Sequence, residues 1–115
     1  MTITNTVNGS QIAFAGLDDV EKLKSVTFEN GILTDVWIEE ASEVTESDFN
    51  QLDLRLRGFA SVPFTITMTF NPIDANFWAK KRFFDNPDDK CSICKTTHLD
   101  NRFIDDQYRQ TLEKL

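Results

Sequence analysis

Glu39 and Glu40 stand side by side where an apolar run ends, in the stretch DVWIEEASE that spans Asp35 to Glu43. Adjacent residues at the end of a strand point in different directions, so one carboxylate can hold a hydrated cation while the other faces a water molecule. That division of labour suits phosphoryl transfer, in which one acid secures Mg²⁺ and the second orients the attacking water. Surface glutamate is also common where a strand leaves a sheet, so the pair alone does not decide the matter. A second donor set is Cys91, Cys94 and His98, spaced C-x-x-C-x-x-x-H with Asp100 nearby, and zinc takes such ligands. On a strand, however, the odd spacing sends the two cysteines to opposite faces, and no Gly or Pro supplies the turn that would converge them. Two ordinary reduced thiols are the expectation there.

The elements that must position these groups alternate along the chain. TITNTV and SQIAFAG flank Asn8-Gly9, the strongest short-range signal for a two-residue hairpin turn. LDDVEKLKS reads as a short helix with Asp18 placed to cap it and Val20 and Leu23 on one face. NGILTDVWIEE is a turn followed by a buried strand. In TESDFNQLDLRLRG, Thr45 precedes Asp48 by three residues, Phe49, Leu52 and Leu56 form an apolar stripe, and Gly58 is placed to end the helix. PFTITMTFNP alternates Phe64, Ile66, Met68 and Phe70 with three threonines between Pro63 and Pro72, which predicts a strand with one apolar face. ANFWAKKRFF predicts a helix, KCSICKTTH another strand, and IDDQYRQTLEKL a closing helix with Tyr108, Leu112 and Leu115 on one face. The order β-β-α-β-α-β-α-β-α predicts an α/β layered fold with a mainly parallel sheet, whose functional groups gather beyond the carboxyl ends of strands. Glu39, Glu40, Asn71 and His98 all fall at such ends.

Composition narrows the partners. The 115 residues suit one small domain or part of a larger one, and 40% hydrophobic with 27% charged residues is ordinary for a globular protein. A net charge of −7 offers no long-range attraction to nucleic acid or to an anionic membrane, so any DNA contact is local or supplied by something outside these residues. No apolar run approaches the roughly 20 residues of a membrane helix, and the polar start MTITNTVNGS is unlike a signal peptide. A cytoplasmic protein is the expectation.

Four segments in register carry a family likeness. ILTDVWIEEASE, then DFNQLDLRLRG, TITMTFNP and TTHLDNRFI, resemble in order and spacing the ATPase domain of the large subunit of phage terminases, above all the PBSX-type branch, over about residues 8 to 112. The resemblance implies a P-loop NTPase-like three-layer fold and a motor that hydrolyses ATP, in the host cytoplasm, to drive double-stranded DNA into a capsid. It further implies the small terminase subunit and the portal as partners. By the same likeness Glu39 is the Walker B acid that coordinates Mg²⁺, Glu40 the catalytic carboxylate, and Thr69 and Asn71 part of a coupling motif that senses the terminal phosphate. Lys24 lies near where many packaging ATPases carry a basic residue that reaches a neighbour's nucleotide, although Lys24, Arg55 and Arg57 also suit plain exposed positions. No Gly-rich loop ending in Gly-Lys-Ser/Thr occurs, so the likeness implies the later part of such an ATPase domain, residues 1–115, without its phosphate-loop strand or the nuclease domain. Neither Mg²⁺ nor ATP is then expected to bind tightly to this chain. The alternative is a prophage remnant without enzymatic activity that acts as an interaction module, pairing with another protein or with itself through orphaned strand edges.

Overall fold

The computed structural model describes residues 1–16, 31–56, 58 and 61–115. The helix expected over LDDVEKLKS lies outside the described residues.

The chain opens with a hairpin of β1 (Thr2–Thr4) and β2 (Gln11–Ala13), antiparallel, with Thr2 opposite Ala13 and Thr4 opposite Gln11. The loop is longer than the two residues expected. The Asn5 N–H donates to the Ser10 carbonyl at 2.8 Å and the Gly9 N–H to the Asn5 carbonyl at 2.9 Å, leaving four residues between Asn5 and Ser10. Local side-chain bonds account for the difference, because Asn5 Oδ1 accepts from the Val7 N–H and Asn8 Oδ1 from the Ser10 N–H. Two asparagine turns thus replace the single tight one, and Gly9, at φ 78°, supplies the left-handed residue that closes the loop.

The part that carries the acids is a parallel pair, β3 (Asp35–Ile38) and β4 (Thr65–Met68), in register from Asp35 opposite Thr65 to Ile38 opposite Met68. Alternation works as the sequence predicts: Phe64, Ile66, Met68 and Phe70 are sheltered while Thr65, Thr67 and Thr69 are exposed. The sheltered face rests on α1 (Glu46–Arg55), the crossover helix whose Thr45 side chain accepts from the Asp48 N–H at 3.1 Å. Ile38, Ala41, Val44, Phe49 and Leu52 form the buried centre, with Val36, Ile66, Met68, Phe70, Trp78 and Phe83 packed around it.

At the far end of the pair from Glu39, the hydroxyls of Thr65 and Thr34 both donate to the Asp35 carboxylate. These bonds, Thr65 first, hold the Asp35 carboxyl below its ordinary value of 3.8. A depressed folded-state value means stability that is present above about pH 4 and is lost as pH falls through the folded value. Asp35→Asn is therefore expected to flatten the drop in urea midpoint between about pH 5 and pH 2.5, and an unchanged acid limb would show that this clamp does not contribute.

Beyond β4 the structure departs from expectation twice. The helix expected over ANFWAKKRFF is confined to Trp78–Phe84, and its last five residues, Lys80–Phe84, widen into a π-helical turn closed by the Asp85 N–H on the Lys80 carbonyl at 2.9 Å. The widening lets Trp78 and Phe83 both reach the Phe49 ring, at 5.3 and 5.7 Å between centroids. KCSICKTTH does not form a strand: residues 91–97 pair with nothing in a sheet, and His98–Asp100 is a 3₁₀ turn with Thr97 and Asp100 in a reciprocal capping box. Its alternate side chains include Ser92, Lys95 and Thr96, so it has no apolar face to dock. The chain closes with α2 (Asp106–Glu113), where Tyr108 and Leu115 stay exposed and Leu112 is half-buried. Among the described residues the mainly parallel sheet expected of a three-layer fold is replaced by one antiparallel and one parallel pair in an α/β arrangement. No described helix is long and apolar enough to cross a membrane.

Candidate functional site

The two glutamates follow directly on β3, and the strand's pairing with β4 decides how they are presented. One residue beyond the Ile38–Met68 pair, the Thr69 N–H donates to the Ile38 carbonyl at 3.0 Å. In a regular parallel ladder the Thr69 carbonyl would then accept from residue 40. It accepts instead from the Ala41 N–H, at 2.9 Å. One residue is therefore inserted between the two bonds, and Thr69 brackets Glu39 and Glu40 in a parallel β-bulge, a device that re-aims side chains where a strand ends.

Glu40 carries the bulge. Its φ of 52° and ψ of 52° place it in the left-handed region, and among the described residues it is the sole non-glycine with positive φ. For an L-residue that conformation costs about 1–2 kcal/mol, and it persists where the surroundings over-determine it. Here the following residue, Ala41, is fully buried and begins a 3₁₀ turn, Ala41–Glu43, that ends at the buried Val44. A carboxylate residue is thus held in a conformation better suited to glycine.

Glu39, Glu40, Thr69 and Asn71 are all exposed, so the site is an open rim rather than an enclosed pocket. The backbone brings the first three together through the bulge, and Asn71 follows two residues after Thr69, past the half-buried Phe70. Glu39 also borders a concavity between the outer face of β3 and β4, where Trp37, Thr65 and Thr67 lie, and the hairpin residues Ile12 and Phe14. His98 does not join them. The strand expected to deliver it is absent, and its Nε2 lies 3.5 Å from Glu113 Oε1 on α2. Cys91 and Cys94 are free thiols, half-buried and exposed respectively. Among the described residues no three His, Cys, Asp or Glu side chains converge as a metal-binding group. Arg55 sits in the last turn of α1, while Lys24 and Arg57 lie outside the described residues.

The donor chemistry fits one part of an Mg²⁺·ATP site and not the other. An exposed carboxylate is a suitable oxygen ligand for a cation that keeps several of its waters, so Glu39 needs no further acid beside it. The triphosphate has no cradle, because none of the four glycines lies in a Gly-Lys-Ser/Thr loop.

A parallel strand pair joined by a crossover helix, with a bulged acid pair at its carboxyl end, defines an α/β protein of the kind that gathers its functional groups at strand ends. The chain belongs to the phage terminase large subunit family, whose model matches residues 1–115. It is 39% identical over 77 residues to the PBSX phage terminase large subunit of Bacillus subtilis (strain 168). That match covers 67% of this chain and 17% of the relative, so the chain spans about a sixth of the protein it resembles. No solved structure matches it.

Sequence reasoning missed the bulge and the bond from the Trp78 indole to the Val44 carbonyl. Neither leaves a local sign, since the inserted residue is a glutamate and not a glycine.

Proposed function

We propose that this chain is the acid-bearing part of the ATPase of a phage DNA-packaging motor, within a P-loop NTPase-like domain whose phosphate-binding loop is not among these residues. The observation that supports it is the bracketing of Glu39 and Glu40 by the backbone of Thr69, which ties two acids to the segment that continues into Asn71 and Pro72. In this reading Glu39 holds Mg²⁺ through a carboxylate oxygen, directly or across a water. Glu40 orients the attacking water and takes its proton. Thr69 and Asn71 register the terminal phosphate, and because Thr69 bonds on both sides of the acids, a shift of that segment alters their spacing. Bound magnesium supplies charge neutralisation of the phosphates. The small terminase subunit, the portal and double-stranded DNA are the partners of the complete motor, and with a net charge of −7 any DNA contact of this chain is local or is supplied by other parts of the motor.

A second reading, an interaction module without catalysis, is favoured by one feature. β3 and β4 pair only with each other among the described residues, and Trp37, on their outer face, is 69% exposed. Strand edges of this sort, with an exposed indole beside them, accept a partner chain.

Calorimetric titration of Mg·ATP separates the two. The chain alone is expected to give little or no binding heat. Joined to a phosphate-loop segment it is expected to bind, with Glu39→Ala weakening Mg·ATP by about 10- to 100-fold, the scale of one charge-assisted contact. Equal affinity in the variant rejects the role of Glu39, and tight capture of a protein partner without nucleotide favours the second reading.

A further inference from the structure

The 3₁₀ turn after the acid pair is held from a side that the family likeness does not address. Its entrance is fixed by the Ala41 N–H on the Thr69 carbonyl, at 2.9 Å. Its exit is fixed by the indole of Trp78, whose Nε1–H donates to the Val44 carbonyl at 2.6 Å. Between these two anchors two bonds close the turn, the Glu43 N–H to the Glu40 carbonyl at 3.4 Å and the Val44 N–H to the Ala41 carbonyl at 3.1 Å. Two bonds, the longer at 3.4 Å, are modest support for a residue forced into the left-handed region at the head of the turn.

The indole is itself immobilised. Its ring packs on Phe49, Phe77 and Phe83 with centroids 5.3, 5.5 and 6.1 Å away, and the next residue, Ala79, is fully buried. Arg82, on the π-helical turn, stacks over Phe49 at 4.8 Å and donates to Asn50 Oδ1 at 2.7 Å, which locks that turn to α1. An indole held on three sides is a rigid donor, and Val44, at 3% exposure, has little water to offer its carbonyl instead.

We propose that Trp78 is a positioning residue for Glu40. By fixing the exit of the Ala41–Glu43 turn it keeps the preceding carboxylate residue in its left-handed conformation, 38 positions earlier in the chain. The catalytic meaning of that conformation rests on the reading of Glu40 given above. The positioning rests on the geometry alone.

A double-mutant cycle read by thermal unfolding of the whole chain, without nucleotide, tests it. Glu40→Gly removes the penalty of the left-handed conformation and is expected to raise the melting temperature by about 3–5 °C. Trp78→Phe keeps an aromatic ring on Phe49 and Phe83 but deletes the donor. In that background the turn relaxes, and Glu40→Gly is expected to gain less than half as much. A Trp78 that serves only the core lowers both backgrounds equally, so additive shifts overturn the proposal. Should Trp78→Phe fail to fold, proton exchange on the unmodified chain decides: the Trp78 indole N–H and the Ala41 amide are expected to show protection within about threefold of each other, because one opening frees both. An indole that exchanges freely beside a protected Ala41 amide also overturns it. Either result stands apart from the Mg·ATP titration, so failure of one reading does not disguise failure of the other.

Discussion

Phe49→Ala is expected to bring the chain close to unfolding. The Phe49 ring is the hub on which two elements meet: it belongs to α1, and from the helical segment Trp78–Phe84 it takes the rings of Trp78 and Phe83 and carries the Arg82 guanidinium on its face. Truncating a buried phenylalanine removes its transfer energy and leaves a cavity, together about 3–5 kcal/mol. A domain of this size has a total stability of about 5–15 kcal/mol, and few of the described residues are buried. The urea midpoint is expected to fall by about 2–3 M, while Ile73→Ala, at a residue 85% exposed, leaves it nearly unchanged. A loss of less than about 1 kcal/mol in Phe49→Ala would mean that the aromatic cluster is not what holds the crossover helix against the sheet.

The distribution of buried and exposed apolar groups explains which features could be read in advance. PFTITMTFNP was legible because its period of two is uninterrupted and prolines bound it, and the sheltering of Ile66 and Met68 follows. The cap at Thr45 was legible because its hydroxyl and the Asp48 N–H that donates to it lie three residues apart. KCSICKTTH misled because local strand character says nothing of a docking edge, and the segment lacks a continuous apolar face. The hairpin misled in length only, since Asn5 competes for the turn with an Asx bond that Asn8-Gly9 alone does not reveal.

The acids show the same limit more sharply. That Glu39 and Glu40 sit at a strand end, near Thr69 and Asn71, was legible from the pattern of elements and from family likeness. Their bulge was not, because it depends on the Ala41 N–H reaching the carbonyl of a residue 28 positions later. Nor was the support from Trp78, which depends on where the widened turn places an indole. Both are tertiary effects on a backbone whose local preferences point elsewhere: a glutamate at φ 52° goes against its own propensity. Conflict between local preference and observed conformation is expected at functional positions, where strain is retained for its use. The stability gain predicted for Glu40→Gly is the thermodynamic face of that conflict.

The same residue carries the largest expected effect on rate. In the motor proposed above, Glu40→Gln keeps the size of the side chain and its place in the bulge but removes the carboxylate proposed as proton acceptor. Loss of a general base costs about 10²–10⁴ in turnover. The melting temperature should stay within about 1 °C of the parent, because Gln bears the same left-handed penalty as Glu and the side chain is exposed. Mg·ATP affinity should also hold, since the proposed metal contact belongs to Glu39. Glu39→Gln is expected to show the opposite split, with weakened Mg·ATP and a rate that recovers in part at high Mg²⁺. Adjacent residues of one chemical type thus give two distinguishable signatures, and that contrast is what two carboxylates merely leaving a sheet cannot produce. If Glu40→Gln retains more than about a tenth of the parent turnover, the water-orienting role passes to another residue, and the bulge loses its catalytic interpretation.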